Sequence, residues 1–170
     1  MTQQPSSQPE HDPAADSAAW APFRPHRGRA VALGAVWSSL ALFGIIAVVM
    51  PAQVDGRWGL GDRIMFFGLG VVIAFLAWRY ASIRAVPSPA GLVVRNLVLT
   101  RTLEWPEVVG IQFGGGEPWV TLDLEDGDTV AVMAIQKADG PLAGREASRL
   151  AALVQAFGEA REPGPRQDPA

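Results

Sequence analysis

The chain has no cysteine. That excludes a disulfide framework, a thiolate nucleophile and a Cys-ligated metal site. Histidine is almost as scarce. His11 and His26 both stand ahead of the first long apolar run, so the remainder can build neither a Ser-His-Asp site nor a His-ligated metal centre. Charge is sparse too: Asp, Glu, Lys and Arg make up 18% of the 170 residues, against 49% hydrophobic, and the formal net charge is −3. Nucleic-acid binding needs a basic face, which this balance does not provide. No residue is nominated as catalytic, cofactor-binding or metal-ligating; a non-enzymatic protein without a cofactor is expected.

What is present is apolar length. From Ala30 to Met50, "AVALGAVWSSLALFGIIAVVM" runs for 21 residues without a charge. As a helix it would measure about 32 Å, enough to cross a hydrocarbon core of roughly 30 Å. Ser38-Ser39 is its only polar break, whereas a helix packed in a soluble core normally keeps a polar stripe. The flank "FRPHRGR" resembles the start of a signal peptide, but the run is too long and "VVMPAQ" is a poor cleavage site, so an uncleaved anchor is expected. A second uncharged run, Ile64–Trp78, reaches a full span only if extended toward Leu60 and Tyr80, with Arg63 snorkelling to the headgroups. Trp58, Trp78 and Tyr80 fall where interfacial aromatics belong.

The connector "PAQVDGRWGLGD" is short and turn-rich, which predicts an antiparallel transmembrane hairpin. Gly34 and Ser38, and likewise Gly70 and Ala74, are four apart, a spacing that permits close helix approach. Arg24, Arg27 and Arg29 precede the first span and Arg79 and Arg84 follow the second, whereas only Arg57 and Arg63 lie between. This excess predicts a multi-pass membrane protein with both termini in the cytoplasm.

Beyond Arg84 the periodicity shortens. "IRAVPS", two strands within "GLVVRNLVLTRTLEW" turning near Arg95-Asn96, then "VVGIQF", "WVTLDL" and "TVAVMAI", all read as strands. Val120, Leu122 and Leu124 alternate with Thr121, Asp123 and Glu125, giving one buried and one wet face. "EDGD" predicts a type I′ hairpin. Gly114-Gly115-Gly116 raises the question of a phosphate cradle. Such a loop must open a helix and, in Walker form, supply a Lys followed by Ser or Thr. Here "EPWVTLDLED" follows, a strand without lysine, so the glycines are expected to form a hairpin loop. Ala147, Leu150, Ala151, Val154 and Phe157 fall at helical spacing, with Arg145, Arg149 and Gln155 on the other side, and predict one amphipathic helix covering the strands.

Two spans, short strands and one closing helix resemble a bacterial pleckstrin-homology (PH)-like protein. More narrowly they resemble the actinobacterial family named for low molecular weight protein antigen 6. The residues that carry the resemblance are "GLVVRNLVLTRTLEWPEVVGIQF" followed by "WVTLDLEDGDTVAV". The resemblance implies an α+β PH-like split β-barrel of about six or seven strands, capped by a C-terminal helix and attached to the bacterial plasma membrane. It brings no enzyme activity and no established ligand. Trp105, beside Pro106, is expected to pack inside the barrel rather than anchor a partner.

The expected organisation is a disordered tail over 1–29, a helical hairpin over 30–80 (spans 30–50 and about 60–80), a PH-like domain over 81–160 and a disordered tail over 161–170. Phosphoinositide-type lipid binding is disfavoured: the first strand hairpin, "VPSPAGLVV", has no basic residue, and residues 85–160 hold five basic against ten acidic side chains. The acids Asp123, Glu125, Asp126 and Asp128 lack the spacing of a Ca²⁺ loop and are expected to be solvated. The expected role is a cytoplasmic scaffold for a protein partner, with an accessory subunit of a membrane transport or cell-envelope complex, docked through the hairpin, as the alternative.

Overall fold

The computed structural model describes residues 18–50 and 59–158. Two long helices come first, α1 (His26–Val49) and α2 (Leu60–Ala81). Both are long and apolar enough to cross a membrane, and most of their surface faces outward. They pack against each other along small residues: Ala32, Ser39 and Ala47 on α1 and Gly70 and Ala74 on α2 are buried. A Cβ on Gly70 would lie 2.5 Å from Phe43 Cβ, so the helices meet where only glycine fits. The expected role of Gly70 and Ala74 therefore holds. That of Gly34 and Ser38 does not: Ser38, one position round the helix from the buried Ser39, is exposed, and Gly34 faces open space.

Polar groups close the helix ends. Arg63 donates from Nη1 to the carbonyls of Ala47 and Val48, and from Nη2 to Met50 O at 2.9 Å. These carbonyls have no partner within α1, so Arg63 acts as its C-terminal cap rather than only reaching for solvent. Asp62 Oδ2 accepts the Gly59 N–H at 2.8 Å and caps the start of α2.

Six strands follow: β1 (Arg84–Ser88), β2 (Gly91–Arg95), β3 (Thr100–Leu103), β4 (Val108–Gln112), β5 (Trp119–Leu124) and β6 (Thr129–Gln136). They form two antiparallel three-stranded sheets, ordered β1-β2-β3 and β4-β5-β6. A short 3-10 turn at Trp105–Glu107 carries the chain from one sheet to the other. Burial along β5 alternates as the sequence predicts, with Val120, Leu122 and Leu124 inside. Leu92, Val94, Leu103 and Val132 complete the interior. The last helix, α3 (Pro141–Gly158), covers it with Ala143, Ala147, Leu150 and Leu153. The buried stripe is set slightly round from the expected one: Leu153 is inside and Ala151 is exposed. The helix also starts ahead of Arg145, because Pro141 can open it without losing an internal hydrogen bond.

The hairpin between β5 and β6 differs from the expected type I′ turn. Gly127 N–H bonds Leu124 O at 3.0 Å and Leu124 N–H bonds Asp128 O at 2.9 Å, with Gly127 at φ 83°. This is a three-residue loop ending in a left-handed glycine, the arrangement of a type I turn plus bulge.

The expected disordered tail through residue 29 is corrected over 18–29. Phe23 is fully buried and exchanges two backbone hydrogen bonds with Ala85, at 2.8 and 3.1 Å. Trp20 packs on Phe157 with ring centroids 5.2 Å apart. Apolar side chains in a Pro- and Ala-rich stretch are too few to build a core, but they can dock on one already present. The remainder of that tail, the connector over 51–58 and the expected tail over 161–170 lie outside the described residues.

Candidate functional site

The triple glycine is a loop between β4 and β5. Gly114 and Gly116 adopt φ of 132° and 105°, backbone that side-chain-bearing residues avoid. Lys137 spans the loop, its Nζ bonding Gly114 O at 3.1 Å and its backbone N–H bonding Pro118 O at 2.8 Å. No helix begins there, so the loop lacks the geometry of a phosphate cradle.

The acidic hairpin is dispersed by its own bonding. Asp123 accepts from Gln112 Nε2 at 2.8 Å, Asp126 accepts the Asp128 N–H at 2.9 Å, and Asp128 pairs with Arg101 at 3.1 Å. Among the described residues no group of three or more His, Asp or Glu converges as a metal site would.

Trp105 is 2% exposed and donates from Nε1 to Ser88 O at 2.9 Å, with the Phe157 ring 6.2 Å away. It is a core residue, as its place before Pro106 predicts. It pins the 3-10 turn to the end of β1.

Two surface features remain. One is a cleft of about 480 Å³ beside β3, lined by Arg101, Thr102, Glu107, Leu124, Glu125 and Asp126. β3 ends its sheet, so its outer edge has no strand partner among the described residues. An unpaired edge offers N–H and C=O groups to an added strand. The other is the junction between the helical hairpin and the sheets, which carries most of the polar bonding that ties the two together.

At that junction Asp139 is 9% exposed, and its carboxylate accepts the backbone N–H groups of His26 at 3.0 Å and Arg27 at 2.8 Å. It caps α1 from a distant part of the chain, because Pro25 at the N-cap has no side chain able to do so. Tyr80 Oη and the Gln136 amide bond each other at 3.0–3.1 Å, against Gly28. Arg149 lies 3.9 Å from the Phe23 ring centroid and donates from Nη1 to the carbonyls of Ala18, Ala19 and Ala21 at 2.8 to 3.2 Å. The amphipathic pattern sets Arg149 on the wet side of α3, so its role in holding the segment before α1 is not legible from periodicity. The only local signal is Glu146, three residues earlier, which pairs with it.

Two transmembrane-length helices, paired three-stranded sheets and one capping helix define a PH-like module joined to a helical hairpin. Residues 83–152 match the family described as Bacterial PH domain. The chain is 41% identical over 114 residues to Uncharacterized protein Rv1417 of Mycobacterium tuberculosis, and equally to Uncharacterized protein Mb1452 of Mycobacterium bovis, covering 61% of this chain and 74% of each relative. The chain belongs to this bacterial PH-domain family. No solved structure matches it at a significant level. Gly91 opens β2 at φ 151°, and a Cβ there would lie 2.1 Å from Leu103 O, across the β2–β3 pair.

Proposed function

We propose that the protein is a non-enzymatic integral membrane protein. Both spans cross the plasma membrane, both termini are cytoplasmic, and the PH-like module serves as a docking platform for a protein partner. The observation that carries the reading is the cleft beside the free edge of β3. Glu107, Glu125 and Asp126 line it with carboxylates, and Thr102 lies on the open edge. That combination suits an extended, basic segment of a partner protein, added as a strand and steered by charge. The arginines at the cytoplasmic ends of both helices support the orientation.

The native chain lacks cysteine, so single cysteines report topology cleanly. Gln53→Cys is expected to react with an impermeant maleimide from outside the cell and Ser148→Cys only after lysis; external labelling of Ser148→Cys would reverse the orientation. For docking, a photo-crosslinker at Thr102 is expected to give one discrete adduct, lost in Glu125→Lys/Asp126→Lys while the protein stays in the membrane fraction. An adduct from Trp37 on α1, with none from Thr102, would favour the accessory-subunit role instead.

A further inference from the structure

Arg84 and Arg95 are direct cross-strand partners at the open ends of β1 and β2. Like charges placed opposite each other in an antiparallel pair are destabilising. Neither guanidinium has an ion-pair partner among the described residues, and the same holds for Arg24 and Arg29. The four line one hollow of about 280 Å³ with Trp78 and Leu33, where the ends of both helices meet the sheet. Arg84 and Arg95 also face an adjoining hollow of about 430 Å³, which Arg79 and Thr100 complete. Five arginines thus line two hollows that share Arg84 and Arg95, and no carboxylate lines either. The excess of acids over residues 85–160 does not describe this surface, because Arg95 alone of the five belongs to that stretch.

The position of the groove identifies its ligand. Arg79 stands in the last turn of α2 and donates to Val98 O at 3.3 Å, so the β2–β3 loop lies level with the end of that helix. Val98 and Leu99, at the tip of the loop, are 75% and 73% exposed. Among the described residues, they and Val109 are the only large hydrophobic side chains so exposed outside the two long helices and Met50 at the end of α1. A helix that spans a bilayer ends at the headgroups, so an apolar loop tip and a basic groove at that level meet acyl chain and phosphate respectively. Unpaired guanidiniums are suited to bidentate binding of phosphate oxygens.

The geometry points to a binding site for the phosphate-bearing headgroup of an anionic phospholipid, built from Arg24, Arg29, Arg79, Arg84 and Arg95, with Val98 and Leu99 inserted beside it. The bound anion relieves the Arg84–Arg95 repulsion, and lipid capture holds the PH-like module against the membrane in one orientation. The site is distinct from the β1–β2 turn, which carries no basic residue. It rests on the reading that both helices cross the bilayer.

The test uses the full-length protein in a nonionic detergent, titrated separately with phosphatidylglycerol, phosphatidylcholine and inorganic phosphate, with the thermal midpoint as readout. Phosphatidylglycerol is expected to give a saturable rise that neither of the others reproduces. Arg84→Gln/Arg95→Gln should weaken that response on the order of 30-fold. Arg145→Gln, which removes an exposed arginine outside both hollows, should leave it within about threefold. Arg84→Gln alone should leave the lipid-free midpoint unchanged or higher, because it removes the like-charge pair. An equal response to phosphatidylcholine overturns the proposal, as does an equal loss in Arg145→Gln or a fall in the lipid-free stability of Arg84→Gln. A rise with inorganic phosphate alone at the same concentration overturns the lipid assignment in favour of a soluble anion. Carbonate extraction of the same variants separates the two readings: a chain released from membranes refutes anchoring, whereas one retained without lipid selectivity refutes only the groove.

Discussion

The carboxylate of Asp139 accepts the backbone N–H of Arg27 at 2.8 Å, across 112 residues of sequence. It therefore ties the first turn of the first long helix to the loop that precedes the last one. A helix N-terminus leaves unsatisfied N–H groups and a partial positive charge, and a nearly buried acid answers both. Asp139→Ala is expected to lower stability by about 1–2 kcal/mol, with Asp139→Asn losing less because an amide oxygen still accepts. Thermal unfolding of the detergent-solubilised protein would read the difference. Equal midpoints for all three proteins would show that the cap carries no stability.

Arg149 makes a similar long-range tie through one planar group. Its Nη1 reaches the carbonyls of Ala18, Ala19 and Ala21 ahead of α1 while the guanidinium covers Phe23. Lysine has the charge but not the fork. Arg149→Lys is expected to cost about 2 kcal/mol and to raise hydrogen exchange at residues 18–24 without affecting β5. If protection at Phe23 and Ala85 is unchanged, the segment is held by its apolar contacts alone.

Asn96 joins the two sheets. Its side-chain amide donates to Ala131 O at 2.7 Å and accepts from the Met133 N–H at 3.3 Å, so a turn residue of one sheet bonds the edge strand of the other. Asn96→Asp should be worse than Asn96→Ala, since a carboxylate cannot donate to Ala131 O and sets a charge beside it. A loss of about 1–2 kcal/mol for the alanine variant is expected in chemical denaturation. The reverse order of the two variants would contradict the donor role.

The helix pair offers a test within one residue type. Gly70→Ala places a Cβ against Phe43, whereas Gly34→Ala meets nothing within 4 Å. Separation of α1 and α2 is expected only in the first, read as reduced disulfide trapping between introduced Ser39→Cys and Gly70-adjacent Leu69→Cys or Val71→Cys. Equal trapping efficiency in the Gly70 and Gly34 variants would show that the helices tolerate a wider spacing.

Much of the architecture was legible along the chain because it is written in local periodicity. The uncharged runs ending at Met50 and Trp78, the alternation of Val120, Leu122 and Leu124, and the turn residues at Asn96 and Gly127 each report their own element. The candidate sites were far less legible. Periodicity assigns a residue to a face and says nothing about what approaches that face. Arg149 therefore read as solvated and residues 18–29 as tail, although each is the other's partner.

By itself the sequence determined the class of the protein. Two apolar runs separated from a set of short alternating strands leave few ways to bury their surface, and the absence of cysteine removes thiolate chemistry and Cys-ligated metal sites. Only the tertiary structure decided what the charges do. Arg24, Arg29, Arg79, Arg84 and Arg95 are scattered over 72 residues, and a count along the chain records them as topology signals and an isolated base. Folding the hairpin back onto β1 and β2 sets them around two hollows that share Arg84 and Arg95, because Asp139, Tyr80 and Gln136 fix the helix ends against the sheets. Proximity between residues far apart in sequence is set by packing and long-range hydrogen bonds, and no local pattern encodes it.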